Sequence, residues 1–600
     1  MSGGWLAEMK ERRVFRALVG YGIVSFAILQ VVEPVMHGFR LPEWVLAATV
    51  IALGLGFPVT LVLAWIFDLR AGGIETTLPT PPRRSVLLLV AVGLLLGAPG
   101  VGWYFWRSAR TPASSAAAPA GPPSIAVLAF ADLSPGKDQE YFADGVSEEI
   151  LNALTRVKGL KVAGRTSSFH FKGKNEDLRT IGQTLGVANV LEGSVRKQGN
   201  KVRITAQLIQ ASDGFHLWSK NYDGDLSDVF ELQDRIARAI TDELKVVLQG
   251  EQRTQLVKVA TTNPEAYALY LQATAIFNRR DGDRFHDAIA RLEQALRLDP
   301  GYARAHSRLA TLQALLPAYV TGEAEAAQAA AEAHARRASA LDPALAEPHA
   351  VLGLVLSQRR RHLEALAALR QALALEPDDV TANFWYAATL TEAGYLRRGT
   401  ELLDRVLSID PIMPNALMWR GQNALIEGDL ELAERLMRRA QDLGLTYVGL
   451  GLSALADARG QRAEAERLLA AGLERLTTDL PPGTSALLAR GAFGDSAARD
   501  ATLARVEAYL ATQPRVVAGA APYALLRLDR VARALEVIRA APTGNEAMVF
   551  NTVWGRYGRA ARTSTQFPEF VRKVGFADLW DREGSPDLCH RLAPGDYACE

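Results

Sequence analysis

The sequence predicts a multidomain chain in which N-terminal transmembrane helices precede an α+β domain and an all-α solenoid of helical repeats. Three observations carry that expectation: long apolar runs near the start, apolar–polar alternation around two turn signals between 190 and 224, and prolines at one fixed interval from Pro343 through Pro377 to Pro411. The 600 residues exceed one ordinary core, so several domains are expected. With 67 basic against 66 acidic residues, the net charge of +1 gives no support to phosphate tracking, and nucleic acid is not an expected partner.

The apolar runs cover 14–35, 44–67 and 85–106, each near or above the roughly 20 residues a helix needs to cross hydrocarbon. All three are expected to span a bilayer, giving a 1–13 cytoplasmic tail and a 14–106 lipid-embedded anchor. The first run is long, lacks a clear small-residue cleavage site and meets another apolar run at once, which disfavours a signal peptide. Glu33 with Pro34 reads as a helix end, Pro58 as a kink, and Gly54 with Gly56 as a helix-packing pair. Lys10, Arg12, Arg13, Arg16, Arg70, Arg83 and Arg84 fall on one side, against Arg40, Arg107 and Arg110 on the other. That asymmetry predicts a bacterial inner (cytoplasmic) membrane protein with a cytoplasmic amino terminus and everything after about 106 in the periplasm.

The segment 107–123 is rich in Pro, Ala and Ser with almost nothing to bury, so it is expected to be an extended linker. A domain over 124–248 follows. SIAVLAF and LKVAGR read as strands, and YFADGVSEEILNALTRV and LRTIGQTLG as helices. Asp144 is the expected cap of the first helix. The alternation around QGN and SDG predicts an antiparallel meander, and a helix over 230–248 closes the unit. YFADGVSEEILNAL, LKVAGRTSSFHFKGK and GVANVLEGSVRKQGNKVRITAQLIQASDGFHLWSKNYDG together resemble the TolB-type amino-terminal domain, related to the FlgO-like fold. The resemblance implies an exported module, often followed by helical repeats. In that family it stands behind a membrane span in proteins with a winged-helix regulator or a nucleotide cyclase as output. No such output is read here, where the first apolar run already begins at Val14.

Asp299-Pro300, Asp342-Pro343, Glu376-Pro377 and Asp410-Pro411 close successive segments, and the last two intervals are equal. Their spacing, about 34 residues, is the tetratricopeptide period. Leu352, Gly353, Ala365, Leu369 and Ala372 fall at packing positions, as do Tyr386, Ala387, Leu390, Gly399, Leu403 and Val406 one unit later. The interval from Pro300 to Pro343 is longer, and its extra residues are expected in an inter-helix loop. The expected solenoid covers 249–476, with five good to fair repeats between about 264 and 476. Degenerate helical repeats follow over 477–558 and a carboxyl-terminal tail over 559–600.

The sequence contains no GxxxxGK[ST], HExxH, GxSxG or EF-hand spacing, so no enzyme and no cofactor is expected. His306 and His349 occupy equivalent repeat positions and are expected to pack, while His170 and His216 have no visible partner. Arg359, Arg360 and Arg361 fall at a turn between repeat helices and read as a solvated loop. Phe384 and Trp385 recur one repeat later as Met418 and Trp419, at places the repeat family puts on or beside its concave face. They are read either as a protein-binding groove for a partner segment or as packing between repeats. Cys589 and Cys599, the chain's two cysteines, are read first as a disulfide, given the oxidising compartment predicted above. A metal site with His590 and Asp596, or free thiols, are the competing readings. The expected function is a membrane-anchored periplasmic scaffold or adaptor that binds protein or peptide partners through the repeat groove. The other reading is a sensory or regulatory component of a membrane signalling system related to adenylate cyclases or winged-helix regulators.

Overall fold

The computed structural model describes residues 122–246, 256–319, 323–475, 481–512, 520–540 and 552–600, with short stretches of the first 76. Two units are distinguished, Met1–Gly121 and Pro122–Glu600.

In the first unit, residues 20–28 are helical, and β1 (Phe67–Arg70) pairs antiparallel with β2 (Gly73–Thr76). Among the described residues no helix is long and apolar enough to cross a membrane. This overturns the expected transmembrane helices, the bilayer as a partner, and the inner-membrane placement with a periplasmic remainder. Phe67, expected to end the second span, instead opens a hairpin bearing Asp68, Arg70 and Glu75. Much of the three apolar runs, and the whole 107–121 part of the linker, lies outside the described residues.

The second unit opens with a six-stranded sheet in the order β5-β3-β6-β7-β8, with β4 also on β6. Its strands are β3 (Ser124–Val127), β4 (Ala131–Asp132), β5 (Lys161–Val162), β6 (Asn189–Gln198), β7 (Lys201–Gln210) and β8 (His216–Asp225). The strands β6, β7 and β8 form the antiparallel meander, while β3 runs parallel to β5 and β6. Gly199, at φ +57°, supplies the left-handed turn that joins Gln198 to Lys201. Around the sheet lie α1 (Glu140–Thr155), α2 (Arg165–Phe169), α3 (Leu178–Leu185) and α4 (Val229–Glu243). Asp144 does not cap α1; it lies one turn inside and receives Lys172 Nζ at 2.6 Å. The acidic residue of its first turn is Glu140, and Asp132 of β4 accepts from the Gln139 amide just before the helix at 2.8 Å.

Antiparallel helix pairs follow, each burying its small residues against its neighbour. They are α5 (Pro264–Asn278) with α6 (Phe285–Leu298), α7 (Ala303–Leu315) with α8 (Ala324–Leu341), and α9 (Glu347–Gln358) with α10 (His362–Leu375). Then come α11 (Val380–Glu392) with α12 (Leu396–Ile409), α13 (Pro414–Glu427) with α14 (Leu430–Asp442), and α15 (Gly449–Ala458) with α16 (Arg462–Arg475). Two further pairs continue the stack: α17 (Thr484–Ala492) with α18 (Ser496–Thr512), and α19 (Ala520–Arg527) with α20 (Val531–Ala540). This is a tetratricopeptide-like helical solenoid. In the longer unit between Pro300 and Pro343 a 3-10 turn, Leu316–Ala318, follows α7 before the 18-residue α8.

The sheet module and the first repeats share one core, in which Ile150 and Leu154 of α1 join Tyr267 and Leu271 of α5. The Phe230 and Tyr267 rings lie 4.8 Å apart across that seam. The module also meets the solenoid at its fourth repeat. Asp410, 1% exposed, accepts from the Ser167 amide at 2.7 Å and from the Ser167 hydroxyl, while the Gly164 amide donates to the Ile409 carbonyl at 2.8 Å. Asp410 thus caps α2 from another part of the chain, and a side chain at position 164 would collide with it.

The expected carboxyl-terminal tail is a packed block of α21 (Arg559–Arg562), α22 (Phe567–Lys573), α23 (Phe576–Glu583) and the hairpin β9 (Cys589–Ala593) with β10 (Asp596–Cys599). Trp554 and Trp580 donate their indole N–H groups to the Glu392 and Ala393 carbonyls at 2.7 and 3.0 Å. Cys589 and Cys599 face each other across the hairpin as a disulfide.

Candidate functional site

The module, the inner face of the helix pairs and part of the carboxyl-terminal block surround a cavity of about 3140 Å³. Its floor is built by α11 and α13. Phe384, Trp385, Met418 and Trp419 all reach it, at 9%, 8%, 3% and 6% exposure. Most of their surface is buried between repeats, with the Phe384 and Trp419 rings edge to face at 6.3 Å. Packing therefore accounts for their bulk, and a narrow aromatic edge is what the cavity receives. Neither Trp385 nor Trp419 gives its indole N–H to an acceptor among the described residues.

The cavity is also lined by charged side chains, many of them in pairs. Glu148 of α1 accepts from Arg165 Nε at 2.8 Å and from Asn278 Nδ2 at 3.0 Å. Burial alone would raise its carboxyl, but these contacts, with Arg308 nearby, hold it below the usual range. Glu149 pairs with Arg304, Glu347 with Arg308 at 3.4 Å, and Glu376 with Arg156 at 3.8 Å. Asp379, the cap of α11, accepts from the Ala382 amide at 2.6 Å. Burial, reinforced by Glu376 and Glu347, pushes its carboxyl up to about 7.

The remaining sequence candidates lie elsewhere. His306 Nδ1 lies 2.9 Å from His334 Nδ1 with the rings stacked, and burial lowers both below the usual histidine value. His349 is half-buried in α9, His170 sits beside Lys174, and His216 is exposed on β8. The arginine run is more engaged than a solvated loop. Arg359 and Arg361 bind Glu332 at 2.7 and 3.2 Å, and Arg360 reaches the Ile538 carbonyl at 2.7 Å. Among the described residues no group of three or more His, Cys, Asp and Glu is placed to hold a metal ion. The disulfide takes both cysteines out of the metal and free-thiol readings. Sequence reasoning missed these ion pairs, because their partners come from different helices and no local spacing links them.

No family model matches the chain, so the TolB-type resemblance of 124–248 has no support from that comparison. Among solved structures the chain is similar to Pseudomonas aeruginosa PilF, at 19% identity over 37% of this chain and 95% of that one, with a TM-score of 0.29. It is also similar to a tetratricopeptide repeat protein from Parabacteroides merdae, at 12% identity over 44% of this chain and 100% of that one (TM-score 0.31). Yeast Tom70 gives 12% identity over 52% of this chain and 67% of that one, again with a TM-score of 0.31. The repeat assignment rests on the helix pairs themselves. Among curated proteins, the chain is 40% identical over 208 residues, 34% of its length, to a Rhizobium meliloti (strain 1021) protein named "Putative adenylate cyclase 3". The matched region spans about a third of that relative, 35% of its length.

Proposed function

We propose that this chain is a non-enzymatic scaffold that takes a segment of another protein into the solenoid cavity. The observation that carries the reading is that Trp385 and Trp419 line that cavity and that the described residues supply no acceptor for their indole N–H groups. Peptide carbonyls are the natural acceptors for such donors, and tryptophan supplies rigid contact area at low ordering cost. The volume also exceeds the roughly 300–1,000 Å³ of small-molecule sites, which favours a polypeptide guest. A photo-crosslinking side chain at Ala388, on the cavity wall, tests this in the cells that make the protein. Adducts should map to a defined partner segment, and Trp385→Phe with Trp419→Phe, which keep the rings and delete the donors, should lower their yield at least about tenfold. Unchanged adducts in the double variant would sink the reading.

A second reading is favoured by the 40% identity to the cyclase-named relative. In it the same region regulates a nucleotide cyclase, consistent with the TolB-type resemblance. Adding the purified chain to the cyclase portion of that relative should change cyclic nucleotide formation; identical rates with and without it would exclude this reading.

A further inference from the structure

The sheet ends in β8 on one side and in β5 on the other, and the two edges differ. Along β8 stand exposed Lys220, Asn221 and Asp223, charged and polar side chains of the kind that discourage pairing at an edge. At β5, by contrast, Leu160, Val162 and Ala163 are buried apolar residues, and the run from Leu160 to Gly164 lines the solenoid cavity.

The backbone of this second edge is only partly used. Lys161 and Ala163 turn their amides inward and donate to the Pro123 and Ile125 carbonyls at 2.9 Å each. Along a parallel ladder alternate residues face opposite sides, so the amides of Val162 and Gly164 point away from β3. The Gly164 amide already has a partner on that outer side, the Ile409 carbonyl of the solenoid at 2.8 Å. The Val162 amide and carbonyl have none among the described residues. Ile409 lines the cavity too, so the open part of the edge adjoins this contact inside the cavity. An unpaired main-chain donor and acceptor at a sheet edge form a template for one more strand.

We propose that the edge of β5 at Val162 is where the guest of the cavity docks, as an added strand. The guest is an extended polypeptide segment with a carbonyl that accepts from the Val162 amide and an amide that donates to the Val162 carbonyl. The proposal rests on the scaffold reading above and gives its guest a conformation. Lys158 and Lys161, both exposed and both on the cavity lining, pair with no carboxylate among the described residues. A segment with an aspartate or glutamate beside Lys161 therefore suits this edge best.

Val162→Pro tests the contact with little damage, because the nitrogen that loses its hydrogen faces away from β3 and both inward bonds remain. Val162→Ala is the control that shortens the side chain and keeps the amide. The probe is a fluorescein-labelled octapeptide mixture of random Val, Thr, Ser and Leu around a central Glu, added to the full chain. Anisotropy should show the mixture bound about tenfold more weakly by Val162→Pro than by Val162→Ala, the loss expected for one hydrogen bond. The same mixture N-methylated at its four central residues, which cannot donate, should bind the unaltered chain more weakly by a similar factor. In the unaltered chain the Val162 amide should exchange its hydrogen more slowly once the unmethylated mixture is bound.

Equal binding by the two variants, or a Val162 amide that exchanges at one rate with and without the mixture, overturns the added strand. If Trp385→Phe with Trp419→Phe still weakens binding in that case, the cavity reading stands. Self-association of the unaltered chain that Val162→Pro abolishes would assign the edge to a second copy and overturn the proposal as well. No binding of the mixture overturns the added strand and the cavity reading together.

Discussion

Asp379 is a carboxyl whose surroundings work against its charge: it is partly buried near Glu376 and Glu347, and its value rises from 3.8 to about 7. The folded chain therefore keeps a proton that the unfolded chain has lost. Its stabilising share is complete below about 3.8 and disappears as pH rises through about 7. Asp379→Asn keeps an oxygen for the Ala382 amide and removes the titration. Urea midpoints should show the unaltered protein losing ground to this variant from pH 4 to 8; parallel profiles would refute it. Trp419→Ala should cost about 3–5 kcal/mol in the same assay, because most of the ring is packed between repeats. At this scale the sequence showed which residues recur but not how much of each side chain its neighbours consume. The spacing of Trp385 and Trp419 was plain, whereas the ion pairs of Glu148 and Glu149 depend on arginines whose closeness only the completed fold creates.

At the scale of elements, the helices with strong period and the meander with its two turn signals were legible because their causes are local. Helix α2 was not. Five residues long, it follows Gly164, which has no side chain to cap it, and takes its cap from Asp410, distant in sequence. Asp410→Ala should remove about 2–3 kcal/mol, combining a lost cap with a buried hydroxyl left without its acceptor. Hydrogen exchange at Thr166 and Ser167 should accelerate with it, and unchanged protection there would show that the cap is unnecessary. The β9–β10 hairpin was visible as two cysteines in a short loop, although the packing of Tyr597 against Asp581 beneath it, at 2.7 Å, was not. Cys589→Ser should lower stability by about 2–3 kcal/mol through the released loop, measured against the oxidised chain.

For the whole molecule, the order of sheet module, solenoid and trailing helices followed from composition and period. The apolar runs misled because hydropathy alone does not establish a continuous helix, and Phe67 enters a hairpin. The docking of the carboxyl-terminal block was illegible for a similar reason: Trp554 and Trp580 seek backbone carbonyls, which every residue carries. His362 lies under that block, its Nε2–H donating to the Val574 carbonyl at 3.0 Å. Burial lowers it from 6.5 to about 4, so the unfolded chain binds a proton that the folded chain refuses. Stability from this site is complete above about 6.5 and is lost as pH falls toward about 4. Limited proteolysis between α20 and the block should accelerate across that window, and His362→Gln should flatten the response.

The contact between Ser167 and Asp410 also sets a schedule. The two residues are 243 positions apart. At synthesis rates of about 5–20 residues per second, Ser167 waits roughly 12–50 s for its acceptor to be made. Until then the first turn of α2 has solvent as its only partner. Completing α2 is therefore a closure over a long loop, paced by translation rather than by the sheet that precedes it.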